Sequence, residues 1–216
     1  MRTTKTIIGL LAAALLLASA AHAGPAWKSI ETKDGIEVFK RDVKGSKMLS
    51  FRAVAVISAQ PRKVLWVICD LATHKDWVRS IGVSTVLKRV SDHDFIYYQS
   101  FLMPWLVDDR DFVVRGKATR RASGVIDVIS RSTTWKGSPK TVGVRAELTL
   151  SHFVLVPVEG GKKTRVEFEI MGDPKGWIPS WLANQIQGTW PFHMLASLKK
   201  QVKKPKVGLY PLPPKS

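Results

Sequence analysis

The segment from Asp173 to Lys204 constrains this chain more than any other. Leu182, Ile186, Trp190, Met194, Leu198 and Val202 recur every four residues, so an apolar stripe runs along one helix of more than twenty residues and must lie against something. Pro179 ends the preceding extended segment, and Ser180 is placed to cap the first turn, its hydroxyl accepting from an otherwise unpaired N–H. Gly188 and Pro191 weaken the helix interior, one through backbone entropy and the other through a missing donor. A kink near 188–191 is therefore predicted.

The support for such a helix is legible upstream. Alternating segments Ile36–Arg41, Met48–Ile57, Thr85–Val90, Phe95–Leu102, Arg110–Arg121, Val125–Thr134, Glu147–Val156 and Arg165–Met171 read as half-buried strands, with turn chemistry at Ser91–Asp94, Ser123–Gly124, Gly137–Pro139 and Glu159–Gly161. The last six should form one antiparallel meander, with Pro157 ending the penultimate strand. Leu49, Phe51, Ala53, Ala55 and Ile57 share one face, as do Val166, Phe168 and Ile170. In the penultimate strand Leu148, Leu150, Val154 and Val156 share a face with His152. Pro61 opens a helix to Asp70, and a short helix or loop from Leu71 to Arg79 carries His74, Asp76 and Trp77. A helix gripped by a curved antiparallel sheet leaves a cavity between the two.

Several of these residues resemble a known family. Gly176, Pro179 and Asn184 stand where START (lipid-transfer) domains carry a Gly-x-x-Pro-x-x-x-x-Asn pattern at the entrance of their C-terminal helix. Pro104-Trp105-Leu106-Val107-Asp108-Asp109-Arg110-Asp111 looks like the family's Pro-Trp-Pro-x-x-x-Arg-Asp signature, with Leu106 departing where a second proline is common. The resemblance covers about Trp27 to Lys204. It implies an α+β helix-grip fold, in which the sheet wraps around a long kinked C-terminal helix and encloses one hydrophobic ligand in a central cavity. The ligand-binding set expected on this basis is Phe51, Trp77, Tyr98, Trp105, Arg115, His152, Phe168 and Asn184. Trp77 is expected at the pocket mouth, and Arg115, sharing a face with Asp111 and Val113, as a buried charge of the kind such pockets often hold. A one-residue slip in the 110–121 strand would expose Arg115 instead.

The ends of the chain carry other signals. Residues 1–23 combine Arg2 and Lys5, an apolar run from Ile7 to Ala18, and Ala21-His22-Ala23, which together read as a cleavable signal peptide cut near Ala23. That run is shorter than the roughly 20 residues a membrane span needs. A periplasmic or secreted protein is the expectation, with residues 24–204 as one domain and 205–216 as a flexible proline-rich tail. Cys69 is the single cysteine, so no intrachain disulfide can form, and its apolar surroundings in sequence suit a small buried hydrophobe.

The formal charge of +17 becomes +15 when Arg2 and Lys5 leave with the leader. Export disfavours nucleic acid as a partner, which leaves anionic lipid surfaces, with Trp105 and Trp177 as interfacial aromatics. A monomer is expected. His74, His93, His152 and His193 show no metal-ligand spacing, and neither a phosphate-cradling glycine loop nor a Gly-x-Ser-x-Gly elbow is present. No catalytic residue, metal or cofactor is therefore assigned. Asp108, Asp109 and Asp111 fit no calcium loop, and Arg110 between them reads as their ion-pair partner. The reading is a lipid binder that exchanges its ligand with membranes. The alternatives are a cyclase- or aromatase-like enzyme in the same cavity and an interaction module using the basic face.

Overall fold

The computed structural model describes residues 26–46 and 48–215, apart from the side chains of Ser180, Asn184, Gln185 and Gln187. The leader assigned to residues 1–23 lies outside the described residues. Among the described residues ten strands form one sheet: β1 (Lys28–Lys33), β2 (Ile36–Asp42), β3 (Leu49–Ile57), β4 (Ile81–Ser91), β5 (Asp94–Phe101), β6 (Arg110–Arg120), β7 (Ile126–Ser132), β8 (Val144–Arg145), β9 (Glu147–Val158) and β10 (Lys163–Asp173). Helix α1 (Pro61–Cys69) and a 3-10 segment (Leu71–Asp76) follow β3, and α2 (Ser180–Gln201) follows β10. This is the α+β architecture expected, a curved antiparallel sheet with a long C-terminal helix against it.

The spatial order is β1-β2-β3-β10-β9-β7-β6-β5-β4. The six strands read as a meander are one, running from β4 to β10, and the amino-terminal three join it where β3 pairs with β10, Phe51 opposite Ile170 and Ile57 opposite Thr164. Two elements were not legible. β1 is exposed along its whole length and lacks an apolar face, and β8 is a two-residue strand parallel to β6.

Alternation assigns each strand an inner and an outer face. Phe51, Ala53, Ala55 and Ile57 point inward beside Val166, Phe168 and Ile170, as the pattern required. Phe153 stacks on Phe168 with ring centroids 4.4 Å apart, and these two rings floor the cavity. In β9 the expected face is reversed: Phe153 and Leu155 enter the core, while His152 belongs to the opposite face. The register slips between Met171 and Gly172, where the partner of Met171 is Leu150 and that of Gly172 is Leu148, and this bulge returns Leu148 to the cavity side. A side chain at Gly172 would stand 2.9 Å from the Glu147 carbonyl, so the close strand approach there requires glycine. Pro157 does not end β9, which continues to Val158. Beyond Leu155 the strand pairs only with β10, so the missing N–H costs no ladder bond to β7.

Helix α2 is continuous through Gly188 and Pro191, so the weak interior does not divide it. Pro179 occupies the capping position and Ser180 is the first helical residue, one place later than a capping serine would be. The stripe has two kinds of neighbour. Leu182, Ile186, Trp190 and Met194 line a cavity, whereas Leu195, Leu198 and Val202 are buried in solid core with Val64, Leu65 and Val67 of α1.

The tail, expected to be mobile or extended, lies extended against the domain. Tyr210 and Arg62 exchange hydrogen bonds (Tyr210 N to Arg62 O, 3.1 Å; Arg62 Nε to Tyr210 O, 2.6 Å), and Arg120 N donates to Pro214 O at 3.0 Å. Val207 is buried. Proline fixes an extended chain whose carbonyls remain free to accept, which is why the tail can be strapped down without forming a helix.

Candidate functional site

A cavity of about 540 Å³ lies between the inner face of the sheet and the first half of α2. That volume is in the range of small-molecule sites. Its walls are mainly apolar, with Phe51, Phe101, Phe112, Phe153, Phe168 and Ile186 prominent. Every one of these comes from an alternating strand or from the α2 stripe, so the patterning that folds the protein also builds the cavity.

One part of the cavity wall is built by Met103 and Pro104 of the loop 102–109, Pro174 and Ile178 of the segment 174–178, and Leu182 and Ala183 at the start of α2. Arg110 fastens the loop to the segment. Its buried guanidinium donates to the carbonyls of Pro174 (3.2 Å), Lys175 (3.0 Å), Trp177 (3.1 Å) and Asp108. It makes no ion pair with Asp108, Asp109 or Asp111, contrary to the pairing read from sequence. Asp109 instead accepts from the Met103 N–H at 2.8 Å, and the fully buried Asp111 accepts from Tyr98 Oη (3.1 Å), the Val142 N–H (2.7 Å) and Arg145 Nε. The carboxylates act separately because β6 alternation sends Arg110 to the cavity side and Asp111 to the outer side. Around this clamp stand Trp105 (92% exposed), Trp177 (71%) and Trp181 (58%).

The eight residues expected to bind ligand divide sharply. Phe51, Trp77 and Phe168 line the cavity. Trp105 projects into solvent next to the lining residue Pro104 and does not line the cavity. Tyr98 packs with Ile96 and Val113 on the outer face, where burial and then the Asp111 carboxylate push its hydroxyl up to about 12. Arg115 is exposed on that face and grips Asp94 with both nitrogens (2.8 and 2.7 Å), holding that carboxyl below its usual range. His152 bonds Asp127 at 2.8 Å on the outer face. Asn184 lies in α2 between the lining residues Ala183 and Ile186, and its side chain is outside the described set.

The polar groups inside the cavity were missed. His74 is buried, its Nε2 3.0 Å from the Ile68 carbonyl and its Nδ1 2.8 Å from Gln99 Nε2, which also lies 3.1 Å from Ser84 Oγ. Desolvation pushes the imidazole down to about 4, so it is neutral at pH 7. Tyr97 shares a hydrogen bond with Ser130, and burial pushes its hydroxyl up to about 12. The signal for Tyr97 and Gln99 was the phase of Phe95 and Phe101 in the same strand: residues of that parity face inward, and Tyr98 cannot. Cys69 also lines the cavity as a buried thiol pushed up to about 12, which makes it inert at neutral pH. Among the described residues no group of His, Cys, Asp or Glu is arranged to hold a metal, and no helix is long and apolar enough to cross a membrane.

Comparison with known proteins gives a consistent pattern. The START domain family matches residues 9–206. An uncharacterized protein of Pseudomonas aeruginosa is 29% identical over 180 residues, covering 82% of this chain and 87% of its own. The crystal structure of a STAR-related lipid transfer protein fragment from Xanthomonas axonopodis superimposes with a TM-score of 0.69 at 27% identity, covering 82% of this chain and 99% of that one. The phosphatidylcholine transfer protein of Mus musculus is 24% identical over 167 residues, 74% of this chain and 76% of that protein.

Proposed function

Because this chain belongs to the START domain family, we propose that its cavity holds one lipid or similarly apolar molecule and that the protein carries this ligand between membranes. The observation that supports the reading best is the apolar cavity of about 540 Å³ beneath a helix whose first half covers it while its second half is anchored in core. Burying apolar ligand surface there contributes about 25 cal/mol per Å². In this reading Phe51, Trp77 and Phe168 contact the ligand, and Trp105, Trp177 and Trp181 enter the interface of the donor or acceptor membrane, where an apolar ring with a wet N–H is favoured. The charge of +15 on the mature chain, +17 less Arg2 and Lys5, attracts the protein to anionic headgroups. Residues 1–23 direct export, and the mature chain works outside the cytoplasm as a monomer.

Native mass spectrometry of protein isolated from its own host tests the core of this reading, since a bound lipid is expected. A cavity that is always empty and refuses lipid probes would overturn it. Transfer of a fluorescent lipid between vesicles tests transport, and vesicle binding that rises with anionic lipid and weakens with salt tests docking. Conversion of the bound molecule into a product would favour the cyclase-like alternative. Amino-terminal sequencing of the mature protein, with cell fractionation, tests export.

A further inference from the structure

We propose that the cavity selects uncharged lipids that carry a hydroxyl group, and that the Gln99 carbonyl oxygen accepts the hydroxyl hydrogen. This rests on the lipid-binding reading and specifies the ligand class. The hydrogen-bond donors around Gln99 are fixed by what they face. The Ile68 carbonyl can only accept, so the His74 nitrogen 3.0 Å from it carries the proton. Burial keeps this imidazole neutral, so its second nitrogen must accept, and the group 2.8 Å away has to be the amide nitrogen of Gln99. The other amide hydrogen is directed at Ser84 Oγ, 3.1 Å away.

Both donors of Gln99 are thereby committed, and its carbonyl oxygen takes no hydrogen bond from the described residues. Gln99 lines the cavity, so this oxygen is free to accept from a bound molecule. A ligand hydroxyl supplies the donor.

Charge complementarity disfavours ionised headgroups at this depth. The amide's neighbours are His74, Ser84, Phe112 across the β5–β6 pair, and Tyr97 and Phe101 on the same face of β5, with no cation among them to receive a phosphate or carboxylate and no carboxylate to receive an ammonium. The charged side chains of the cavity wall are engaged or peripheral: Arg110 is occupied by four carbonyls, Glu147 pairs with Lys175 at 2.7 Å, Asp173 accepts from the Lys175 N–H at 2.9 Å, and Arg79 is exposed. An ion buried beside Gln99 would lose its hydration without a compensating partner. A neutral hydroxyl loses little and regains its hydrogen bond.

The test uses dodecanol, its methyl ether and dodecanoate at pH 7.5, each displacing the neutral fluorophore N-phenyl-1-naphthylamine from the full mature chain. The three share one alkyl chain and differ in whether the head donates a hydrogen bond or is charged. The alcohol is expected to bind roughly tenfold more tightly than either competitor, the ratio that one satisfied hydrogen bond provides. Gln99→Leu should bring alcohol and ether within about twofold while still binding the ether, which also reports that the cavity has folded. Ser84→Ala, which leaves the carbonyl in place, should keep the preference. Equal binding of alcohol and ether by the wild type, binding of dodecanoate as tight as the alcohol, or a preference that survives Gln99→Leu would overturn the proposal and leave lipid binding standing. Failure of all three ligands and the fluorophore to bind would overturn both. If Gln99→Leu does not fold, the wild-type ranking of the three ligands alone decides.

Discussion

Lowering the pH from 7 to 5 should remove about 2 kcal/mol of stability through His74 alone. The ring is 8% exposed, and desolvation brings it from an ordinary 6.5 down to about 4. Near pH 5 the unfolded chain protonates this imidazole almost fully while the folded chain does not, so the unfolded state binds more protons and gains stability as pH falls. The loss begins near the ordinary value and is complete only below the folded one. With one pKa unit worth about 1.4 kcal/mol, the full effect is about 3.5 kcal/mol, and the part realised between pH 7 and 5 is about 2 kcal/mol. Urea unfolding at pH 7, 6 and 5 measures it, with His74→Gln as the reference because glutamine does not titrate. The variant is expected to start less stable and to lose about 2 kcal/mol less than the wild type over this interval. Parallel losses in the two proteins would refute the assignment of a buried neutral imidazole, and with it the amide orientation deduced for Gln99.

Further outcomes follow from other contacts. Asp111→Asn sets an amide against the donors Tyr98 and Val142 and strips Arg145 of its ion-pair partner, so it should cost about 3 kcal/mol in a urea midpoint series; a loss below 1 kcal/mol would contradict its role as a buried node. Arg115 is exposed and screened by solvent, so Arg115→Ala should shift the urea midpoint at pH 7 far less than Asp111→Asn does. Asp94 and Asp127 both lie below the usual carboxylate range when folded. Their contribution is present at neutral pH and is lost as pH falls from about 4 toward their folded values, a window below that of His74, which an Asp127→Asn acid titration would resolve. Trp105→Ala should leave the melting temperature within a degree or two while weakening vesicle binding several-fold, since the ring touches almost nothing in the folded protein. Gly188→Ala places a methyl group in open space and stiffens α2 between its two halves; transfer of fluorescent lipid should slow with loading nearly unchanged, and an unchanged rate would exclude this joint as the gate.

What the sequence disclosed and what it hid have a common physical origin. Strands with one apolar face, such as Phe51 to Ile57 and Val166 to Ile170, declare their inner side because burial permits only one choice. β9 did not, since Leu150, Val154 and Val156 on its outer face are as apolar as Phe153 and Leu155 inside, and the bulge at Leu148 changes parity midway. The same ambiguity put Tyr98, Arg115 and His152 in the expected binding set. A second small cluster around Tyr98, Ile96 and Val113, partly covered by Trp135, makes the outside of β5 and β6 look like an interior. Arg110 was misread for a different reason: its partners are main-chain carbonyls of residues 174–177, which carry no signature in the side-chain sequence. For the tail, proline content reports the absence of a helix and leaves open whether the extended chain is anchored.

The pairing of β3 with β10 sets a schedule for the newborn chain. Synthesis delivers β1 to β3 early, but the strand that completes their sheet emerges only with Lys163–Asp173, after every strand of the intervening meander. Through that interval β3 presents a row of unpaired backbone groups over residues as sticky as Phe51 and Ile57, a template that another chain can join. Folding cannot be credited piece by piece as translation proceeds, because the contact that unites the two halves is among the last to become available and among the most distant along the chain. Chains halted before Lys163 are therefore expected to aggregate rather than to form a smaller stable domain, which makes the final quarter of the polypeptide the guardian of the first.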